Sequence, residues 1–450
     1  MTEPVFVMDF GTCFSAAAVV SGGEVQLIRE PSTGSFSWPS AVYLEAGRLV
    51  AGSPAVQRRN RDPAGFRSEL KRYLGQDAAI HLGGRGYPVR ELVTAVIGAL
   101  KTAAEATAGT GISRAVLTVP ASYGRADQRR RLLISAAEAT GLRTVELLPE
   151  PVAAVFAPVM GQPPSPGDLV LVYDFGGGTF DTALVRIGAG QHEVLGSAAL
   201  DDCGGLDLDA VLTSSLTANT GGWLQTAFRG ETKSAGDSAA LRVKLTIGDS
   251  ARNLKHQLSD TTEAEEFILP DAAPARLTRQ ELGALAAPLL DRTVECCRGL
   301  LKRLDVAASD LSVVVTVGGS TRMPAVADLV GLAFGRPVRR ADDPDLAVVS
   351  GAAQWARSHA VRKVPALPRT DGATLLRWMI PPGRLLRWLV PAGTPYEEGA
   401  PLARIRLDDG TIWDLCAARP GRVEQVLAET GDVVSKDRWL AVALEQPSSG

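Results

Sequence analysis

Residues 172–185 read VYDFGGGTFDTALV, three consecutive glycines and a threonine set between two aspartates, with apolar, β-prone residues on either side. The flanks have the composition of strands, and the glycines mark a tight turn between them. Lacking a Cβ, such a turn lets backbone N–H groups converge on an anion. Gly176, Gly177 and Gly178 suit that task, and Thr179 adds a hydroxyl donor. Asp174 repels phosphate, yet it can hold water on a magnesium ion that bridges phosphates. Taken alone, the turn reads as a tight hairpin; a second copy changes that reading.

The second copy is VMDFGTCFSAAAVV (7–20), where Asp9 stands in the place of Asp174, beside Gly11 and Thr12. Each copy is followed by a β-branched run, a small-residue turn and an amphipathic helix: AVLTVPASYGRADQRRRLLISAAEATGL (115–142) and VVVTVGGSTRMPAVADLVGLAF (313–334). After each comes an acidic-Pro start to a small-residue helix, EPVAAVFA (150–157) and DPDLAVVSGAAQWA (343–356). The pattern predicts an α/β protein with duplicated lobes around a cleft. Asp9 and Asp174 then face each other, each beside a phosphate turn, as a nucleotide–magnesium site requires.

The chain of 450 residues is long enough for two or three domains, and a net charge of −3 without long charged runs argues against nucleic-acid or membrane-surface partners. The start, MTEPVFVMDFG, lacks the basic and apolar regions of a signal peptide, and no stretch approaches a transmembrane span. A cytoplasmic protein is expected. The five cysteines include no CxxC pair and only four histidines could join them, so no zinc site is read; Cys296 and Cys297 are adjacent in a helix and point to different faces.

Insertions separate the repeated elements. RELVTAVIGALKTAAEATAG (90–109) predicts a helix with its apolar face at Leu92, Val93, Val96, Ile97 and Leu100. Several helices are expected in 205–310, the last opening with a capping box at Thr278 and Glu281 and carrying an apolar stripe at Leu282, Leu285, Leu289, Cys296 and Leu300. The expected domains are 1–362, with inserted subdomains at 38–90 and 205–280, then a linker at 363–376 and an all-β unit at 377–450. In that last unit GRLLRWLVPAGTPYEEGAPL and GRVEQVLAETGDVVSKDRWL repeat at a spacing of 38 residues, which predicts pseudo-symmetry.

VMDFGT, LKRYLG, VLTVP, LLPEPVAA, YDFGGGTFD, CGGLDLD, VVTVGGSTRMP and DPDLAV occur here in the order found in the nucleotide-binding domain of the 70-kilodalton heat-shock chaperones, within the actin-like ATPase superfamily. The resemblance spans residues 4–360 and implies an ATP-hydrolysing chaperone-like switch. By that resemblance, Asp9 and Asp174 order waters on magnesium, and the turns Gly11–Thr12–Cys13 and Gly176–Thr179 hold the β- and γ-phosphates of ATP, with ADP as the product nucleotide. Lys71 positions the attacking water, Glu150 completes the metal–water network and Asp181 assists it. Gly205, Lys255, Ser259, Gly318, Gly319, Ser320, Arg322 and Asp345 match the nucleotide-contacting and adenosine motifs. Pro120 and Arg129 stand at or near positions that relay the nucleotide state in relatives.

The chain departs from the family at Cys13 and Val152, where threonine is usual, and at Arg252 and His256, where an acid and an arginine are usual. Those departures keep open a nucleotide-binding scaffold with little turnover; a small-molecule kinase of the superfamily is the third reading. The family's leucine-rich linker and peptide-binding domain are not visible. The C-terminal repeat resembles a biotinyl/lipoyl barrel-sandwich domain, but the hairpin that would present a carrier's lysine reads RIRLDDGTIWDLC, with a turn at Asp408, Asp409 and Gly410 and no lysine. That unit is expected to bind protein partners or clients, or to pack on the ATPase, with a co-chaperone or exchange factor as a further expected partner. Trp378, Trp388, Trp413 and Trp439 are expected in its core.

Overall fold

A computed structural model describes residues 3–124, 127–188, 192–219, 236–267, 274–358, 362–365, 374–377, 382–435 and 439–445. The first lobe opens with β1 (Val5–Phe10), β2 (Phe14–Ser21) and β3 (Glu24–Leu27), and after an insertion continues with α1 (Val89–Ala108), β4 (Arg114–Val119), α2 (Gln128–Glu138), β5 (Thr144–Pro149) and α3 (Glu150–Phe156). The second lobe repeats this with β6 (Leu169–Phe175), β7 (Phe180–Arg186), β8 (Glu193–Leu200), the inserted helices α4 (Gly205–Asn219) and α5 (Gly236–Asp260), α6 (Arg279–Arg303), β9 (Val313–Val317), α7 (Pro324–Phe334), β10 (Val338–Arg340) and α8 (Ala347–Ser358).

Both main sheets have one topology. The first runs β5-β4-β1-β2-β3 and the second β10-β9-β6-β7-β8; in each, the glycine-turn hairpin is antiparallel and its first strand pairs in parallel with the strand that precedes the amphipathic helix. The period of two then sorts side chains onto two faces. Phe6, Met8 and Phe10 enter the core of the first lobe beneath α1 and α2, while Val5 and Val7 join Val170, Val172 and Val313 in a core shared by both lobes. Between the sheets lie α3 and α8, packed so closely that a Cβ on Gly351 would collide with the Ala153 carbonyl oxygen. These two short helices are the floor of the cleft.

The expected face of α1 is buried at all five positions, and Thr278 and Glu281 form the capping box of α6. The stripe on α6 is displaced from the expected one. Leu282 and Leu300 are buried, but the rest of the buried row is Ala286, Leu290, Val294, Cys297 and Leu301, with Leu285, Leu289 and Cys296 at its flank. No described helix is long and apolar enough to cross a membrane.

The C-terminal unit comprises β11 (Arg362–Pro365), β12 (Thr374–Arg377), β13 (Gly383–Trp388), β14 (Pro395–Tyr396), β15 (Pro401–Leu407), β16 (Ile412–Cys416), β17 (Gly421–Val426), β18 (Val433–Val434) and β19 (Trp439–Glu445). Its sheets run β11-β16-β15-β13-β18 and β12-β19-β17-β14. Apart from β11, the two sheets interconvert under a shift of 38 residues: Gly383 pairs with Val434 as Gly421 pairs with Tyr396, and the bulges at Leu385/Arg387 and Val423/Gln425 correspond. The repeat is therefore a pseudo-two-fold in which each copy lends a short strand to the other's sheet.

Two sequence expectations change here. Both ends of the stretch read as a linker, Arg362–Pro365 and Thr374–Arg377, are strands of these sheets; the intervening 366–373 lie outside the described residues. The core is aliphatic, built from Leu376, Leu385, Leu402, Ile405, Leu415, Val423 and Leu440, and Trp388 and Trp413 pack at its rim. Their indole N–H groups donate to the Ala428 carbonyl at 2.9 Å and the Thr411 hydroxyl at 3.3 Å, which satisfies the one polar atom of each partly buried ring. Trp378 and the side chain of Trp439 lie outside the described residues.

Candidate functional site

The hairpins β1–β2 and β6–β7 bring their turns together across the cleft. None of the turn glycines 11, 176, 177 and 178 has the left-handed φ that glycine alone tolerates. Gly177 and Gly178 are needed for approach instead. A Cβ on Gly178 would overlap the Thr12 side chain, and one on Gly177 would lie 2.5 Å from the Cys13 sulfur. Behind them, Gly205 N–H donates to the Gly176 carbonyl at 3.0 Å and Leu206 N–H to the Gly177 carbonyl at 2.7 Å, so the start of α4 fixes the second turn. Gly318 does need its freedom, with φ of 86° and no room for a Cβ beside Asp174 and Phe175.

Asp9, Gly11, Thr12, Cys13, Lys71, Glu150, Asp174, Gly176, Gly177, Gly178, Thr179, Gly205, Lys255, Ser259, Gly318, Gly319, Ser320, Arg322 and Asp345 line one cavity of about 490 Å³. Asp181 stands behind its wall, opposite Asp174 on the paired strand, and accepts hydrogen bonds from Thr179 Oγ1 at 3.0 Å and Ser122 Oγ at 3.2 Å. The Thr179 hydroxyl, expected to face phosphate, is engaged there. Cys13 remains a thiol, its pKa pushed up to about 11 by burial, with the nearby cations Arg252 and Lys255 pulling the other way.

At the closed end, Lys71 Nζ donates to Glu150 Oε1 at 2.9 Å. Burial alone would lower the Lys71 pKa, but Glu150, Tyr123 and Asp9 outweigh it and keep the ammonium charged. The carboxylates are pushed the other way. Asp9, Glu150, Asp174 and Asp181 are all raised by burial first; Lys71 opposes this at each, and mutual repulsion adds to it at Glu150 and Asp174. Thr118 Oγ1 holds Asp9 at 2.7 Å. Four carboxylates, Glu150 and Asp181 buried and Asp9 and Asp174 half-buried, around one ammonium form a site short of positive charge.

The open end is richer in cations. Lys255 Nζ donates to the Gly205 carbonyl at 2.9 Å and pairs with Asp209 Oδ1 at 2.6 Å, while Arg252 Nε holds Asp209 Oδ2 at 3.2 Å. Arg322 spans Asp345 and Asp343, both at 2.7 Å. His256 also lines the cavity, its pKa lowered by burial and by Lys255. Two ion pairs cross the cleft: Arg72 from the first lobe reaches Asp207 at 3.2 Å and the Gly178 carbonyl at 3.0 Å, and Arg59 pairs with Asp249 on α5. Sequence reasoning missed Arg59, Arg72, Thr118, Ser122 and Asp209. Arg72, Thr118 and Asp209 had a local signal, being inside LKRYLG, VLTVP and CGGLDLD.

The sequence profile of the family described as Hsp70 protein matches residues 77–364, more than half of the chain. The match takes in Glu150, the second glycine turn and the residues at the open end; Lys71 and the first turn precede it but line the same cavity. Members of that family bind ATP and ADP with magnesium, hydrolyse ATP and act as chaperones on client proteins. On this match, carried by a cleft between duplicated lobes, the chain belongs to the Hsp70 family.

Proposed function

We propose that this chain binds magnesium–ATP in the cleft, hydrolyses it slowly, and acts as a chaperone-type switch whose nucleotide state controls the binding of a protein partner or client. The observation that carries the reading is the closed end of the cavity, where Asp9, Glu150 and Asp174 surround Lys71 beside two abutting glycine turns.

The donor set fits a divalent cation. Asp9 and Asp174 offer hard oxygen ligands, and the carboxylates here outnumber the cations. Among the described residues no three metal-ligating side chains are grouped tightly enough to cage an ion directly, which favours a cation held through water and phosphate. Magnesium would supply charge neutralisation across the phosphates. Lys71, kept protonated, orients a water and offsets charge developing on the transferring group, while Glu150 holds Lys71 in place. Lys255, Ser259, Ser320 and Arg322 face the nucleoside end. The C-terminal unit, proposed as a barrel-sandwich relative with no carrier lysine in its hairpin, is the proposed partner-binding part, and the compartment is proposed as the cytoplasm.

The alternative, a nucleotide-binding scaffold with negligible turnover, is favoured by one observation: the Thr179 hydroxyl is engaged by Asp181. Single-turnover hydrolysis of magnesium–ATP by the full chain separates the two. Turnover abolished by Asp174→Asn supports the switch; tight binding with no hydrolysis supports the scaffold; and no binding at all sinks both.

A further inference from the structure

The turn between β15 and β16 projects from the C-terminal unit and seats on the first lobe. Leu407 N–H donates to the Thr411 carbonyl and Gly410 N–H to the Leu407 carbonyl, both at 2.9 Å, with Asp409 Oδ1 accepting from Thr411 N–H at 2.9 Å and Gly410 at a φ of 83°. Its tip meets β5, the edge strand of the first sheet. Leu147 N–H donates to the Gly410 carbonyl at 3.1 Å, and Ile412 N–H donates to Glu146 Oε1 at 3.4 Å. A Cβ on Gly410 would lie 2.9 Å from the Leu147 side chain, so the contact has no spare room. Helix α2 grips the other side: Arg130 donates to the Asp409 carbonyl, and Glu138 pairs with Arg406 at 2.7 Å.

What the turn touches is continuous with the closed end of the cleft. Leu147 is three residues before Glu150, on a strand that runs straight into α3. Arg130 also donates to the Tyr123 carbonyl at 3.3 Å, and Tyr123 follows Ser122, the donor to Asp181. An edge strand with nothing on it is free to shift, and here the edge is covered at the residues that precede a site group. The turn thus braces both Tyr123, through Arg130, and the strand 144–149, which carry first-lobe groups to the site.

We propose that this turn is an intramolecular positioning element for hydrolysis: seated on α2 and β5 it holds the Glu150 and Ser122 segments in register, and its seating is reciprocally linked to magnesium–nucleotide in the cleft. The inference rests on the ATPase reading above. It gives the C-terminal unit a role in turnover that is separate from any partner it binds.

The test uses the full chain, with magnesium–ATP as the probe, and reads amide hydrogen exchange at Leu147 and residues 408–411 beside steady-state kinetics. Nucleotide should slow exchange at those amides. Gly410→Val should unseat the turn, erase that slowing and lower kcat by at least about fivefold with KM changed less than about twofold. Arg406→Glu should give a weaker form of the same defect, and adding Glu138→Arg should restore both exchange and kcat, a rescue that a misfolded variant would not show. A turn unseated by exchange but with unchanged kcat overturns the proposal, as does exchange indifferent to nucleotide in a protein that binds it. A protein that neither binds nor hydrolyses ATP overturns the ATPase reading together with this one.

Discussion

Lys71 Nζ lies 2.9 Å from Glu150 Oε1, and the two side chains are only 8% and 7% exposed. Each is the other's main compensation for leaving water, so removing one strands the other. Lys71→Ala should cost about 3–5 kcal/mol of stability and lower single-turnover hydrolysis by about a hundredfold or more. Adding Glu150→Gln removes the stranded charge. Calorimetry should then recover much of the lost stability while hydrolysis stays absent; recovery of both would mean that Lys71 serves only the fold.

The carboxylate cluster gives the nucleotide-free protein a defined pH response. The pKa of Asp174 is raised from its ordinary 3.8 to about 7, by burial and then by repulsion from Asp181 and Asp9. A proton held more tightly in the folded state stabilises it fully below the unfolded value, and that contribution is lost as pH rises through the folded value. Tm without nucleotide should therefore fall between about pH 4 and about pH 7. Asp174→Asn should flatten the fall and raise Tm at the alkaline end. Identical slopes in the two proteins would show that Asp174 is not strained by its surroundings.

Legibility followed the range of the interactions. Glycines at 177 and 178 announce themselves because a turn pressed against another turn admits nothing larger, the cause being contact with Cys13 and Thr12 and not backbone conformation, while Gly11 is required by the Phe14 carbonyl of its own turn. The capping box at Thr278 and Glu281 is equally local. Asp209, Thr118 and Ser122 were not found because their partners Lys255, Asp9 and Asp181 are distant in sequence, and a lone polar residue carries no sign of who it meets. The stripe on α6 slipped because leucines occupy both Leu289 and Leu290, and only the sheet beneath decides which is buried. The turn at Asp408–Gly410 was legible; its seat on Leu147 and Glu138 was not.

Arg59 and Asp249 pair across the mouth of the cleft, from the insertion of the first lobe to α5 of the second, at 16% and 37% side-chain exposure. A half-exposed bridge contributes at most about 1 kcal/mol, which limits the effect of losing it to about fivefold. Arg59→Ala should speed release of a fluorescent ADP by about two- to fivefold in stopped flow. The difference should shrink in high salt, since screening weakens the wild-type bridge as well. A salt-independent difference would point to lost packing by the arginine stem.

Arg252 decides how the open end treats a ribose. Of the carboxylates that line this end, Asp209 is engaged by Lys255 and Arg252 and Asp345 by Arg322, while Asp260 is solvent-exposed. Ribose hydroxyls, which donate as well as accept, therefore meet a surface dominated by donors, and the 2′-hydroxyl adds little. The protein should bind ATP and 2′-deoxy-ATP within about threefold of each other, less than one net hydrogen bond would give. Arg252→Glu replaces a donor with an acceptor next to Lys255, whose positive charge is then shared by two carboxylates. In isothermal titration that variant should favour ATP over the deoxynucleotide by about fivefold or more. Strong preference for ATP in the wild type would mean that Asp209 or Asp345 gives up its cation when nucleotide enters, and the ion pairs at this end would then be gates for the ligand.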